Sequence, residues 1–173
     1  MMKIYSILHS VLIFLLLTGF LAPQASALMV RKSIKELTSQ ADSILIGKVK
    51  EMESRWNEER TLIYTYVTIS VSQYTKTLSG VGEVQEIMVK VPGGEVGDIG
   101  LKVSDTPQFR EGEEVFLFLK MEKLPFFSVA GLFQGKYTIE ENRVKNRILG
   151  LDVLLDSFIS QIEGILEKAK RSQ

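Results

Sequence analysis

The sequence predicts a mainly β fold, in which a five-stranded antiparallel barrel follows a short N-terminal helix and precedes a long amphipathic C-terminal helix. Residues 62–74 alternate between apolar and polar side chains, which is typical of a half-buried strand. Gly131 and Gly135 interrupt a later apolar pattern, and glycines within strands mark the bends of small barrels. From residue 151 to residue 170, apolar side chains recur every three or four positions, as on one face of a helix.

The first 27 residues predict a secretion signal. Lys3 supplies the charged start, residues 11–17 form an apolar run, and Ala25-Ser26-Ala27 is a cleavage pattern of small residues. The alternative is an uncleaved membrane anchor, but the run is short beside the roughly 20 apolar residues of a spanning helix. We therefore expect residues 28–173 to form one secreted or periplasmic domain, with no membrane span after cleavage.

The predicted mature chain lacks the side chains on which much catalytic and metal chemistry depends. It contains no cysteine, and the one histidine of the sequence is His9, within the signal. A Ser-His-Asp relay, a cysteine nucleophile and a zinc site of histidines or cysteines are therefore excluded. Removal of Lys3 leaves 20 basic against 21 acidic residues, so the charge balance gives no reason to expect nucleic-acid binding. The sequence predicts a protein that is not an enzyme and uses no cofactor.

The remaining elements can be placed from periodicity and capping. Ser33 and Glu36 form a capping-box pattern, which predicts a helix from there to about Ala41. Apolar patterns predict five strands, over residues 43–52, 62–74, 85–91, 113–120 and 126–140. The fourth carries five consecutive apolar residues, 115–119, and we expect it to be covered on both faces.

This order of elements resembles that of netrin-like domains, including the N-terminal domain of tissue inhibitors of metalloproteinases. The likeness is carried by Ala41-Asp42, by Ile44-Leu45-Ile46-Gly47-Lys48-Val49, by the strand from Tyr64 to Val71 and by Gly112-Glu113-Glu114-Val115-Phe116-Leu117-Phe118. It implies a barrel of the OB type. Those inhibitors use disulfides and place an N-terminal cysteine on the protease zinc; this chain has no cysteine, so their inhibitory residues do not carry over. The 92–109 segment also resembles a stretch of uncharacterised exported bacterial proteins, which implies no activity.

The segment from residue 92 to residue 109 is the first candidate binding site, because structural connections of this length usually bind something. Its glycines permit backbone conformations and close approaches that other residues resist. The residues we single out are Gly93, Gly94, Glu95, Gly97, Asp98 and Asp105. The three acids among them are candidate ligands for Ca²⁺, although their spacing does not match an EF-hand. The alternative is a scaffold loop with solvated acids.

The second candidate is an aromatic face of the barrel. Tyr64, Tyr66 and Tyr74 share one side of the alternating strand, and Trp56 lies nearby in sequence. Such rings form platforms for sugars or peptides, or else are covered by another layer of the fold.

Three functions remain open. The leading one is an exported, non-catalytic interaction module that binds another protein through the 92–109 loop or a barrel face. A protease inhibitor would instead insert a loop or the N-terminal arm into an exported protease. A small hydrolase would need a pair of carboxylates, yet neighbours such as Glu113 and Glu114 point to opposite sides of a strand.

Overall fold

Strands dominate the computed structural model, which describes residues 30–80 and 82–171. It has 48% strand and 20% helix, which confirms the prediction of a mainly β fold. The predicted signal, residues 1–27, lies outside the described residues. In chain order the elements are α1 (Ile34–Gln40), β1 (Ser43–Trp56), β2 (Ile63–Lys76), β3 (Glu86–Pro92), β4 (Gly94–Val96), β5 (Ile99–Leu101), β6 (Glu114–Lys123), β7 (Phe126–Val129), a 3-10 turn (Leu132–Gly135), β8 (Lys136–Glu140), β9 (Arg143–Asn146), β10 (Leu151–Leu154) and α2 (Leu155–Arg171).

Five strands pair in a closed cycle, which we call the ring. Strand β1 pairs with β2, β2 with β3, β3 with β7, β7 with β6, and β6 again with β1. Strands β8, β9 and β10 continue the same sheet outward from β6, and β4 pairs with β5 as a separate hairpin. The expectation of five wholly antiparallel strands is therefore wrong in two respects. The described residues form ten strands, and β3 and β7 pair in parallel.

Two apolar clusters lie on opposite faces of β1 and β6. The interior cluster fills the ring and consists of Leu45, Val49, Val67, Ile69, Ile87, Val89, Val91, Phe109, Val115, Leu117, Leu119, Phe127 and Val129. The outer cluster lies between the sheet and the helices and consists of Leu37, Ala41, Ile44, Ile46, Phe116, Phe118, Ala130, Tyr137, Ile139, Val144, Phe158 and Ile162. Successive residues of a strand face opposite sides, so β6 contributes to both clusters and residues 115–119 are all buried, as predicted.

The strand predicted over residues 126–140 is instead two strands joined by a 3-10 turn. Gly131 and Leu132 have φ values of +69° and +59°, in the left-handed region, and this conformation ends β7. A Cβ at Gly135 would lie 2.2 Å from the carbonyl oxygen of Ala130, so only glycine fits where the chain folds back. These two glycines therefore lie in a turn between two strands rather than within one bent strand.

The two helices were predicted, and the second begins later than expected. At α1 the Ser33 hydroxyl accepts from the Glu36 amide at 3.2 Å and the Glu36 carboxylate accepts from the Ser33 amide at 2.7 Å, which completes the capping box. The predicted helix 151–170 runs from Leu155 to Arg171, because residues 151–154 pair with β9. Leu151, Val153 and Leu155 also fit period two, so the sequence pattern is compatible with a strand at this boundary.

Tyr137 provides a test of the outer cluster. Its side chain is fully buried, and its hydroxyl has no hydrogen-bond partner among the described residues. Burial raises the pKa of Tyr137 far above its usual value, and the charge of Arg31 only partly opposes this. We expect Tyr137→Phe to raise the free energy of unfolding by about 1 kcal/mol, because an unsatisfied buried hydroxyl is removed.

The same substitution should change the response to alkali. The unfolded chain loses the tyrosine proton near pH 10, whereas the folded chain retains it, so the free energy of unfolding of the parent falls as pH rises above about 10. In urea titrations, the advantage of Tyr137→Phe over the parent should therefore increase between about pH 9 and pH 11. A difference that stays constant over this range would show that the hydroxyl is solvated in the folded protein.

Candidate functional site

The β4–β5 hairpin is tied across one end of the ring, where β1 ends, β2 begins and β3 ends. The Gly93 amide donates to the Ile63 carbonyl at 2.8 Å, and the Thr65 hydroxyl donates to the Gly93 carbonyl at 2.8 Å. Ser54, opposite Thr65 in the β1–β2 register, is within 2.9 Å of that hydroxyl. Two hydrogen bonds thus hold the base of the hairpin against residues distant in sequence, and the contact between Ser54 and Thr65 positions one of the donors.

An open cavity of about 690 Å³ lies between this hairpin, residues 102–109 and the end of the ring. Its floor is apolar, because it is formed by Val67, Val91 and Phe109 of the interior cluster together with half-buried Met52. Its walls also carry polar side chains, contributed by Thr65, Glu95, Lys102, Asp105, Thr106 and Gln108. The site thus combines an apolar floor with polar groups around the opening, which is typical of ligand sites.

The structure brings some of the predicted loop residues together at this cavity. Gly93, Gly94, Glu95 and Asp105 line it, whereas Gly97 and Asp98 lie at the exposed turn of the hairpin and do not. Among the described residues, no three acidic or histidine side chains are placed to hold a metal ion. Glu95, Asp98 and Asp105 therefore do not form the cation site considered from the sequence.

Sequence reasoning missed the apolar residues of this segment. Leu101 and Val103 line the cavity, and Ile99, on the same side of β5 as Leu101, is 55% exposed. Period-two spacing of these three residues was the available signal. The neighbouring glycines obscured this spacing, because glycines are typical of turns and loops rather than of strands.

The predicted aromatic face is only partly formed. Tyr64 and Tyr66 share the outer face of the ring, where the Arg55 guanidinium lies 4.0 Å from the Tyr66 ring and the Lys90 ammonium lies 4.1 Å from the Tyr64 ring. Phe126 also packs on Tyr66, with ring centroids 5.4 Å apart. Both tyrosine rings therefore have cation partners within the chain.

Trp56 and Tyr74 do not join this face. Trp56 is opposite Ile63 in the β1–β2 register, one residue away from the position that faces Tyr64, so it lies on the other side of the strand pair. Tyr74 packs against the interior cluster, and its hydroxyl donates to the Val84 carbonyl at 3.0 Å. A register shift between Ile46 and Gly47 exchanges the faces of β2 beyond Val71.

The chain ahead of α1 is tied to the domain from Arg31 onward. The Arg31 guanidinium donates to the Leu149 carbonyl at 2.9 Å, and the Lys32 amide donates to the Gln134 side chain at 2.7 Å. An inserted N-terminal arm, the mode considered for a protease inhibitor, would therefore have to leave these contacts or consist of residues before Arg31.

Two general findings bear on function. No helix within residues 30–80 and 82–171 is long and apolar enough to cross a bilayer. Comparison of the chain with models of known protein families and with curated proteins finds no match.

Proposed function

We propose that this protein is an exported, non-catalytic interaction module that binds a segment of another protein in the cavity beneath the β4–β5 hairpin. The observation that carries the proposal is the cavity itself, which opens directly onto the interior cluster. A partner side chain that enters it would contact Val67, Val91 and Phe109 and leave water for an apolar surface. Burial of one such side chain contributes about 1.5–3 kcal/mol.

The polar wall supports a peptide rather than a wholly apolar ligand. Glu95 and Asp105 place two carboxylates at the cavity, against one ammonium from Lys102. A segment that carries an aromatic or branched apolar residue next to a basic one would match both the floor and this charge. Anchors of this kind, seated in pockets, dominate many protein interfaces.

The type of barrel and the location of the protein are also part of the proposal. We infer that the ring is an OB-like, netrin-like barrel, since its five strands close on themselves with one parallel pairing. The signal pattern in residues 1–27 supports export, with a secreted or periplasmic destination for residues 28–173. The partner would then be another exported protein.

Two tryptophan substitutions on β5 test the cavity. Leu101→Trp should fill it, because Leu101 lines the cavity, whereas Ile99→Trp adds the same side chain two residues away and outside the lining. Random peptides displayed on phage and selected on the purified protein should be enriched in apolar anchors flanked by Lys or Arg. We expect selected peptides to bind Leu101→Trp at least tenfold more weakly, a change of about 1.4 kcal/mol, and to bind Ile99→Trp as they bind the parent.

Thermal melting of both variants provides the control for folding. The proposal fails if selection enriches no peptides, or if selected peptides bind both folded variants equally well.

A protease inhibitor is the second candidate, and exposed Ile99 favours it. This side chain stands on a two-stranded hairpin outside the main sheet, where it is 55% exposed. A hairpin of this kind can present an apolar residue to a protease cleft. The same pair of variants separates the two candidates: inhibition of a panel of exported proteases would be lost with Ile99→Trp and kept with Leu101→Trp. A parent protein that inhibits no protease in the panel removes this candidate.

A further inference from the structure

A second cleft, of about 490 Å³, shares a wall with the cavity described above. Thr106, Pro107 and Gln108 line both, so this short segment separates them. The other walls come from the turn before β6, from β8, and from β9 with the residues that follow it. This cleft is lined by more charged residues than the first, and nothing in the proposed function uses it.

An ionic network of Glu113, Lys136 and Thr138 forms part of the cleft wall. One carboxylate oxygen of Glu113 accepts from the Lys136 ammonium and, at 2.5 Å, from the Thr138 hydroxyl. Its second oxygen accepts from the Arg110 amide at 3.2 Å. The Glu113 and Lys136 side chains are only 13% and 12% exposed. Both oxygens of this carboxylate are therefore occupied by donors of the chain itself.

The other two carboxylates of the cleft are occupied as well. Glu140 accepts from the Lys145 ammonium at 2.9 Å, and Glu111 accepts from the Met52 amide at 3.3 Å. The hydrogen bond and charge of Lys145 lower the pKa of Glu140, and the charges of Arg147 and Arg110 lower it further. Both guanidinium groups therefore act on the same part of the cleft.

Arg110 and Arg147 are the two cations of the cleft that remain unused. Both are exposed, and within the part of the chain that the structure describes neither side chain makes a hydrogen bond or an ion pair. Each guanidinium carries five N–H donors, arranged to bind a carboxylate through two of them. The cleft thus combines acids that are paired within the chain with guanidinium donors that face solvent, which is the chemistry of an anion site.

We propose that this second cleft binds an acidic segment of a protein, whose carboxylates pair with Arg110 and Arg147. The lining carries four basic and three acidic side chains, and its acids would repel a continuous polyanion such as a nucleic acid. Ile148, at the rim, is 72% exposed and offers an apolar surface to the methylene groups of a glutamate or to a neighbouring side chain. Discrete carboxylates on a peptide fit this mixture of charge and apolar surface.

Titration of the ¹⁵N-labelled protein with an N-acetylated Glu-Ala-Ala-Glu peptide, whose carboxylates are separated by alanines, tests the proposal. Amide shifts should concentrate at residues 110–113 and 145–148, which line the cleft. In Arg110→Gln with Arg147→Gln the affinity should fall about tenfold or more, since two charge-assisted contacts are lost. A matched control, Lys35→Gln with Lys120→Gln, removes the same charge at exposed positions outside both clefts and should leave the affinity unchanged.

Three results would overturn the proposal. One is the absence of localised shifts. Another is an equal loss of affinity in the two double variants, which would indicate general electrostatic attraction. The third is a titration with inorganic phosphate that shifts the same amides at equal or lower concentration, which would indicate a site for free anions. The spectra of both variants report folding directly, and peptide selection on the first cavity is independent of all these outcomes.

Discussion

Phe158→Asp should abolish the cooperative unfolding transition of this protein. Phe158 lies on α2, is 1% exposed, and packs edge-on against Phe116 with ring centroids 5.0 Å apart. It also contacts Tyr137, at 5.1 Å, and Phe118, at 6.2 Å. Truncation of such a ring costs about 3–5 kcal/mol. The aspartate adds the cost of a buried charge without a partner. The free energy of unfolding of a domain of this size is only about 5–15 kcal/mol in total.

Ser160→Asp is the matched control, because Ser160 is exposed on the same helix. Its free energy of unfolding should remain within about 0.5 kcal/mol of the parent value. Circular dichroism during heating would give both results. If Phe158→Asp melted at the temperature of the parent, α2 would not contribute to the core, and the outer cluster would have to be stable without it.

The docking of α2 follows from sequence because its cause, an apolar stripe on one face of the helix, is local. An apolar stripe over residues 155–166 identifies the buried face, and Phe158 and Ile162, within that stripe, are its fully buried members. The start of the helix depends instead on whether residues 151–154 find a strand to pair with. That partner, β9, was not recognised in the sequence, because its four residues are too few to show a period.

The strands also have some features that local sequence determines and others that depend on pairing with distant strands. Strands β1, β2, β3 and β6 were predicted within a few residues, since each is seven or more residues long and carries an alternating pattern or, in β6, an unbroken apolar run. The face of a side chain was less predictable. Tyr74 has the same parity as Tyr64 along β2, yet a bulge opposite Ile46 and Gly47 turns it into the ring. A bulge of this kind depends on cross-strand register, which single-strand periodicity does not encode.

The candidate cavity was predictable as a segment but not as a shape. Its length and glycine content identified residues 92–109 as a candidate binding loop. The cavity exists, however, because Gly93 and Gly94 sit on Ser54, Ile63 and Thr65, which are about 30 or more residues away in sequence. Of the three predicted acids, two lie at the cavity, Glu95 and Asp105, whereas Asp98 lies at the turn of the hairpin.

Gly94→Val should detach the hairpin from the ring and remove the cavity. Gly94 has a φ of +131°, which β-branched residues resist. A Cβ there would lie 2.4 Å from both the Ser54 and Thr65 hydroxyl oxygens, which also contact each other. Backbone strain and overpacking each cost about 1–3 kcal/mol. Either the free energy of unfolding of the whole domain falls by this amount, or the hairpin moves away from the ring and the clash is relieved.

The melting temperature of Gly94→Val separates the two outcomes, and Gly100→Val on the paired strand is the control. Gly100 is opposite Glu95, and its nearest neighbour would be the Glu95 Cγ at 3.5 Å, an ordinary contact. This control should retain the melting temperature; because Gly100 itself lines the cavity, the control for peptide binding is Ile99→Trp, which lies outside the lining. Gly94→Val should lose peptide binding in either case, with a lower melting temperature only if the hairpin stays in place. A Gly94→Val protein that melted and bound peptides like the parent would show that the hairpin base is not closely packed on Ser54 and Thr65, and that the cavity does not depend on it.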